Sequence, residues 1–229
     1  MGLLVTGGTG LVGSAIKADI KINSKDVDLR DPHKTNAVFK KINPTHVIHC
    51  AGRVGGLGGN MNAKGEFYYD NIMINTNVIE ACRISGVTKL ICFLSTCVFQ
   101  DKAEYPLTEE MIHLGIPHDS NYPYAYTKRM ADIQIRAYRE QYGLNYISVI
   151  PTNIYGPNDN FNLETGHVLP SLIHKCYLSK KNNTEENATK PQKSKTPKYG
   201  DFVTKKTKTD EGLFKVHNTD NKFIYEIPK

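Results

Sequence analysis

Tyr124 and Lys128 stand four residues apart in "YPYAYTKRM". On a helix that spacing puts both side chains on one face. A phenol beside an ammonium suits proton donation to a carbonyl under reduction, because the ammonium favours phenolate and so lowers the tyrosine pKa. The spacing alone singles nothing out, since Tyr177/Lys181 and Tyr225/Lys229 share it. Context separates the first pair. Upstream of it, "KLICFLST" is an apolar run that ends in Ser95 and Thr96. A hydroxyl at that tip can hydrogen-bond the same substrate oxygen as the tyrosine.

A second constellation opens the chain. "TGGTGLVG" places Gly7, Gly10 and Gly13 at three-residue steps directly after "GLLVT". Glycines there allow a tight turn, close approach of a pyrophosphate to the backbone, and helix-on-strand packing. The helix that follows turns free N–H groups toward the phosphates. The residue that reads the ribose should follow the second strand. "INSKDVDL" offers Lys25 for a ribose phosphate or Asp26 for a free hydroxyl, and the residues leave that choice open. Only eleven residues separate Gly13 from Lys25, too few for an ordinary helix, turn and strand. The first crossover is therefore abbreviated.

These groups need a frame. "GLLVTGG", "THVIHCAG", "KLICFLST" and "LNYISVIPTN" are continuous apolar runs, which suit strands buried on both faces of a parallel sheet. "FYYDNIMINTNVIEACRIS" and "AYTKRMADIQIRAYREQYG" between them carry apolar residues at three- and four-residue steps, the second stopping at Gly143. Alternating strand and helix predicts an α/β fold of the doubly wound, Rossmann type. Residues 1–178 form that dinucleotide-binding domain and hold the catalytic groups. Residues 179–229 read as a lysine-rich, partly disordered tail.

The bulk numbers agree. The chain has 229 residues, 39% hydrophobic, with a net charge of +6. The last 50 residues hold 12 lysines against 7 acids, so the basic balance belongs to the tail and is no nucleic-acid footprint across the fold. Five scattered cysteines form no C-x-x-C and no zinc spacing with histidine, so no metal is expected. The N-terminus starts a strand at once, unlike a signal peptide, and no apolar run reaches membrane-spanning length. A cytoplasmic setting with free thiols is the simplest expectation.

The glycine cradle, the strand-tip serine and the Tyr-x-x-x-Lys pair together resemble the extended short-chain dehydrogenase/reductases, and within them the GDP-L-fucose synthase family. "VTGGTGLVGSAI", "AGRVGG", "LSTCVF", "YPLTEEMIHLG", "YAYTKRM", "IPTNIYGPNDNF" and "GHVLPSLIHK" carry the likeness, in order, over residues 4–175. The resemblance implies NADPH as cofactor and a GDP-sugar substrate, a GDP-4-keto-6-deoxy-mannose, converted to GDP-L-fucose. It implies that Cys97 and His167 exchange protons during epimerisation at carbons 3 and 5. Tyr124 then supplies the proton of the carbon-4 reduction, Ser95 orients the carbonyl, and Lys128 holds the nicotinamide side. It favours Lys25 for the ribose phosphate, with Asp28 and Leu29 near adenine, Asn153 near nicotinamide and Asn158–Phe161 near the sugar nucleotide. A homodimer through helices at 67–85 and 124–142 is implied as well.

The chain also departs from that pattern. Members of the family continue into a substrate domain with an Arg-Arg segment, where this chain has its lysine-rich stretch; 208–223 weakly resembles a piece near the family's C-terminus. The substrate domain is thus expected to be largely missing. Two other readings follow: a weakly active or inactive dinucleotide-binding homologue acting through dimerisation, and a 4-epimerase, which would need neither Cys97 nor His167.

Overall fold

A computed structural model describes residues 2–187, 208–211, 215–219 and 222–226. Side-chain surroundings are described through residue 182. The expected disorder across 188–207 lies outside these residues.

Five parallel strands form one sheet in the order β2-β1-β3-β4-β5. They are β1 (Leu3–Thr6), β2 (Ile20–Ile22), β3 (His46–His49), β4 (Lys89–Phe93) and β5 (Asn145–Val149). Strand order reverses between β1 and β3, which is where such sheets bind ligands beyond their carboxyl ends. Leu4, Val5, Val47 and Leu90 are fully or almost fully buried, as both-faced burial of the apolar runs requires.

The abbreviated crossover is real. Between β1 and β2 lies only α1 (Leu11–Ala15), a helix of 5 residues. Lys21 Nζ donates to the Ser14 carbonyl at 2.9 Å and Asp19 accepts the Leu3 N–H at 2.7 Å, tying the short crossover to the sheet.

Helix α2 (Pro32–Ile42) starts where Asp31 accepts the His33 and Lys34 N–H groups, and ends at Asn43 in a left-handed conformation. After a short α3 (Leu57–Asn62), α4 (Lys64–Ile84) and α5 (Tyr122–Tyr142) pack on each other, and α2 packs on α4. Phe39, Val78, Ile79, Ile135 and Tyr146 join the strands in one buried cluster. Gly143, at φ +67°, closes α5 as its position predicts.

Helix α6 (Val168–Asn187) runs nine residues past 178, so the start of the stretch read as tail is helical. A contact boundary falls after Ser179. Beyond it, β6 (Lys208–Glu211), β7 (Lys215–Thr219) and β8 (Lys222–Glu226) form an antiparallel meander. Among the described residues no helix is long and apolar enough to cross a membrane, and no group of three His, Cys, Asp or Glu side chains is placed to hold a metal.

Candidate active site

The glycine turn begins where β1 ends. Gly7 sits at φ +72°, and a Cβ there would meet the Ala51 backbone nitrogen at 2.7 Å. A Cβ on Gly13 would stand 2.3 Å from the Gly7 carbonyl oxygen. Both positions are closed to any side chain by the chain's own backbone. Gly10 differs. It is exposed, its φ is an ordinary −78°, and an added Cβ would meet nothing nearer than 3.5 Å. What its missing side chain leaves free is the space outside the turn, where a pyrophosphate would lie against the backbone. The cradle fits a dinucleotide on these grounds.

From the foot of that turn a buried hydrogen-bond relay crosses the domain. The Thr6 hydroxyl meets His49 Nδ1 at 2.7 Å. His49 Nε2 meets Asn75 Oδ1 at 3.2 Å, and Asn75 Nδ2 donates to the Thr127 carbonyl at 3.3 Å. Thr127 in turn donates its hydroxyl to the Tyr124 carbonyl at 2.7 Å. With the Asn75 amide fixed by Thr127, His49 carries its proton on Nε2 and accepts at Nδ1. Burial, with the Lys128 charge adding to it, pulls His49 down to about 3, so it is neutral at pH 7.

The structure brings four of the sequence-predicted groups together at the tip of β4. Ser95 follows β4 and caps a single 3-10 turn (Thr96–Val98), its oxygen accepting the Cys97 N–H at 3.4 Å. Tyr124 lies in the first turn of α5, and Lys128 Nζ stands 5.7 Å from its ring centre. The same ammonium donates to the Phe93 carbonyl at 2.9 Å. It lies 3.8 Å from where a Gly52 Cβ would be, beside the loop after β3. Lys128 thus sits between the glycine-turn side and the β4 tip.

The electrostatics differ from the expectation. Burial raises the Tyr124 phenol above its ordinary value, and the neighbouring Cys97 and Cys92 add to the rise. Proximity to Lys128 does not reverse this, because the phenol is desolvated. Tyr124 is therefore a neutral phenol at pH 7, the form that holds a proton to give. Burial also raises the Cys97 thiol, against the pull of the Ser95 hydroxyl and the charges of Lys128 and Arg129. Burial lowers Lys128 itself, while the nearby Cys92, Cys97 and Cys50 oppose the change.

His167 comes from a different element, the loop that leads into α6, and Ser171 N–H donates back to its carbonyl at 3.0 Å. Its Nδ1 lies 3.0 Å from Asp159 Oδ1. Among the described residues no hydrogen bond joins His167 to Cys97. The loop is nonetheless docked on the segment following β3. Gly56 N–H donates to the Thr165 carbonyl at 2.8 Å, and a Cβ on Gly56 would stand 1.9 Å from the Gly166 oxygen. The loop also reaches α1, the helix after the glycine turn, where Asn158 Nδ2 donates to Ser14 Oγ at 3.2 Å.

The remaining predicted cofactor contacts are less concentrated. Lys25 is exposed just beyond β2, its N–H donating to Asn23 Oδ1 at 2.8 Å. Asp28 is held by Arg30 at 2.8 Å, which pulls its carboxyl to about 2. Leu29 is a core residue, and its carbonyl accepts from Thr35 and Asn77. Asn153 is exposed four residues past β5.

Three arginines make contacts that no motif in the sequence announced. Arg30 bridges Asp28 and Asp70, and Arg53 bridges Asp70 and Glu66. Arg129 is buried and donates to the carbonyls of Val98, Leu114 and Gly115, clamping the loop that carries Cys97 onto α5. Only its place directly after Lys128 hinted at a role.

Comparison with known proteins places this geometry in context. The profile of the NAD dependent epimerase/dehydratase family matches residues 3–192, and that of a domain of unknown function (DUF5118) matches 196–229. A GDP-L-fucose synthase of Dictyostelium discoideum is 53% identical over 194 residues, covering 80% of this chain and 61% of that protein. A probable GDP-L-fucose synthase of Drosophila melanogaster is 46% identical, covering 81% and 62%. A GDP-L-fucose synthetase from Naegleria fowleri, in a crystal structure bound to NADP, superposes with a TM-score of 0.73 at 51% identity, covering 79% of this chain and 59% of that one. The chain thus spans about six-tenths of the length of these relatives.

Proposed function

The chain belongs to the NAD dependent epimerase/dehydratase family, and from that membership we propose that it is an NADPH-dependent epimerase–reductase that converts GDP-4-keto-6-deoxy-mannose to GDP-L-fucose. The observation that carries the reading is the convergence of Ser95, Cys97, Tyr124 and Lys128 at one strand tip beside the glycine turn. Likeness to GDP-L-fucose synthases, one of them bound to NADP, supports the substrate and cofactor.

In this proposal Gly7, Gly10 and Gly13 seat the pyrophosphate, and Lys25 meets the ribose phosphate. Asp28 and Leu29 border the adenine side and Asn153 the nicotinamide side. When bound, the reduced nicotinamide supplies hydride for carbon 4. The chain's own residues do the rest. Ser95 donates a hydrogen bond to the carbon-4 carbonyl oxygen. Cys97 and His167 exchange protons at carbons 3 and 5, one removing and the other returning on the opposite face. Acidity at those carbons rises as the carbonyl oxygen is held by Ser95 and Tyr124. Tyr124 then gives its proton to that oxygen, and the Lys128 ammonium offsets the charge left on the phenol.

A homodimer and a cytosolic setting belong to the same proposal. Exposed Tyr69 on α4 and exposed Met130 and Ile133 on α5 support an association through these helices. Free Cys50, Cys82, Cys92, Cys97 and Cys176 support a reducing compartment.

The test is direct. Purified protein mixed with NADPH and GDP-4-keto-6-deoxy-mannose should consume the near-ultraviolet absorbance of the reduced nicotinamide and yield GDP-L-fucose. Retained NADPH binding without turnover would reduce the chain to a dinucleotide-binding module.

A further inference from the structure

His167 is held in two ways that differ in kind. Its backbone is fixed by glycine contacts: Gly166 N–H donates to the Asn162 carbonyl at 2.9 Å, and Gly56 lies against the Gly166 oxygen. Its ring is fixed by one group. Among the described residues the imidazole makes a single hydrogen bond, from Nδ1 to Asp159 Oδ1 at 3.0 Å. The Asp159 side chain is 3% exposed, whereas that of His167 is 41% exposed, so the buried partner anchors the open one. A carboxylate only accepts, and so the proton sits on Nδ1 and Nε2 is the atom left to exchange protons.

Asp159 is an expensive residue to keep there. Oδ1 takes the Asn160 N–H at 2.7 Å as well as His167, while Oδ2 is buried with no hydrogen-bond partner. A side chain serving the loop alone would have no reason to carry that second oxygen as part of a charge, since an amide could accept the same two N–H groups. A charge is useful against a ring that becomes an imidazolium whenever it holds a second proton.

We infer that Asp159 is a positioning residue: it fixes the His167 tautomer with Nε2 outward and supports the ring each time it takes a proton. The inference rests on the epimerase reading above, and deepens it.

Two readouts separate it from that reading. Nitrogen-15 spectra of histidine-labelled protein, taken at a pH where the ring is neutral, should place the His167 proton on Nδ1 in the parent chain. In Asp159→Ala that preference should be lost, and in Asp159→Asn it should be kept, because the amide oxygen can accept in place of Oδ1. Solvent-deuterium incorporation at carbons 3 and 5 of GDP-4-keto-6-deoxy-mannose should fall about 100-fold in Asp159→Ala, and by roughly tenfold or less in Asp159→Asn, within the span of acid–base catalysis. In a His167→Asn background Asp159→Ala should cost nothing further. An unchanged tautomer in Asp159→Ala would overturn the proposal, as would an equal loss of exchange in both backgrounds. The expected tautomer pattern in a chain with no exchange at all would uphold the positioning and sink only the substrate assignment.

Discussion

His49 Nε2 donates to Asn75 Oδ1 at 3.2 Å, and through that bond the base of the glycine turn is tied to the helix that carries Tyr124 and Lys128. Burial keeps His49 neutral in the relay, with Nδ1 accepting from the Thr6 hydroxyl. Its pKa falls from the ordinary 6.5 to about 3 on folding. The unfolded chain therefore binds a proton that the folded chain refuses throughout that interval. Stability should fall as pH drops below about 6, by roughly 1.4 kcal/mol per pH unit at most. Denaturant unfolding between about pH 6.5 and 4.5 checks the slope, and His49→Gln should flatten it. Carboxylates held low by arginine, such as Asp28, contribute only nearer their own range.

Lys128 tests the division of labour at the β4 tip. Lys128→Met removes the donor to the Phe93 carbonyl and should cost about 1–3 kcal/mol of stability. Turnover of NADPH should fall about 100-fold or more. Tyr124→Phe should stop reduction as well, yet only weaken deuterium exchange at carbons 3 and 5, because Ser95 still holds the carbonyl oxygen. Parallel assays of NADPH oxidation and exchange resolve the two effects.

The glycines make a discriminating pair. Gly13→Ala forces a Cβ to 2.3 Å from the Gly7 oxygen, and backbone must shift, at about 1–3 kcal/mol. Gly10→Ala meets nothing closer than 3.5 Å and should melt like the parent. Its NADPH affinity should nevertheless drop, because the new methyl enters the space reserved for phosphate. Thermal melts read beside NADPH titrations check both.

Thiol chemistry should rank by burial. Cys176 is exposed and should alkylate first near pH 8. Cys97 should lag because burial keeps it a thiol, and so should Cys50, pushed up to about 12, and Cys92, at about 11. Peptide mapping after timed iodoacetamide treatment gives the order.

Much of this site was legible because its signals are local. Three glycines after a strand, a hydroxyl at a strand tip and a four-residue step on a long helix each occupy one element. Continuous apolar runs gave β1, β3, β4 and β5, and three- and four-residue steps gave α4 and α5. What escaped has no local period. Helix α1 with 5 residues and β2 with three show no pattern of their own, and were expected only from the glycine turn before them. The Thr6–His49–Asn75–Thr127 relay joins residues dozens of positions apart, with no motif between them. The neutral phenol of Tyr124 was missed for a related reason. Spacing shows which charge is near, whereas burial decides which protonation state wins.

Strand β5 ends the sheet, and among the described residues its outer side pairs with nothing. That row of main-chain N–H and C=O groups is a growing point. A further strand could add there, from a longer version of the chain or from another molecule. The edge open to it is one five-residue strand, four residues before Asn153.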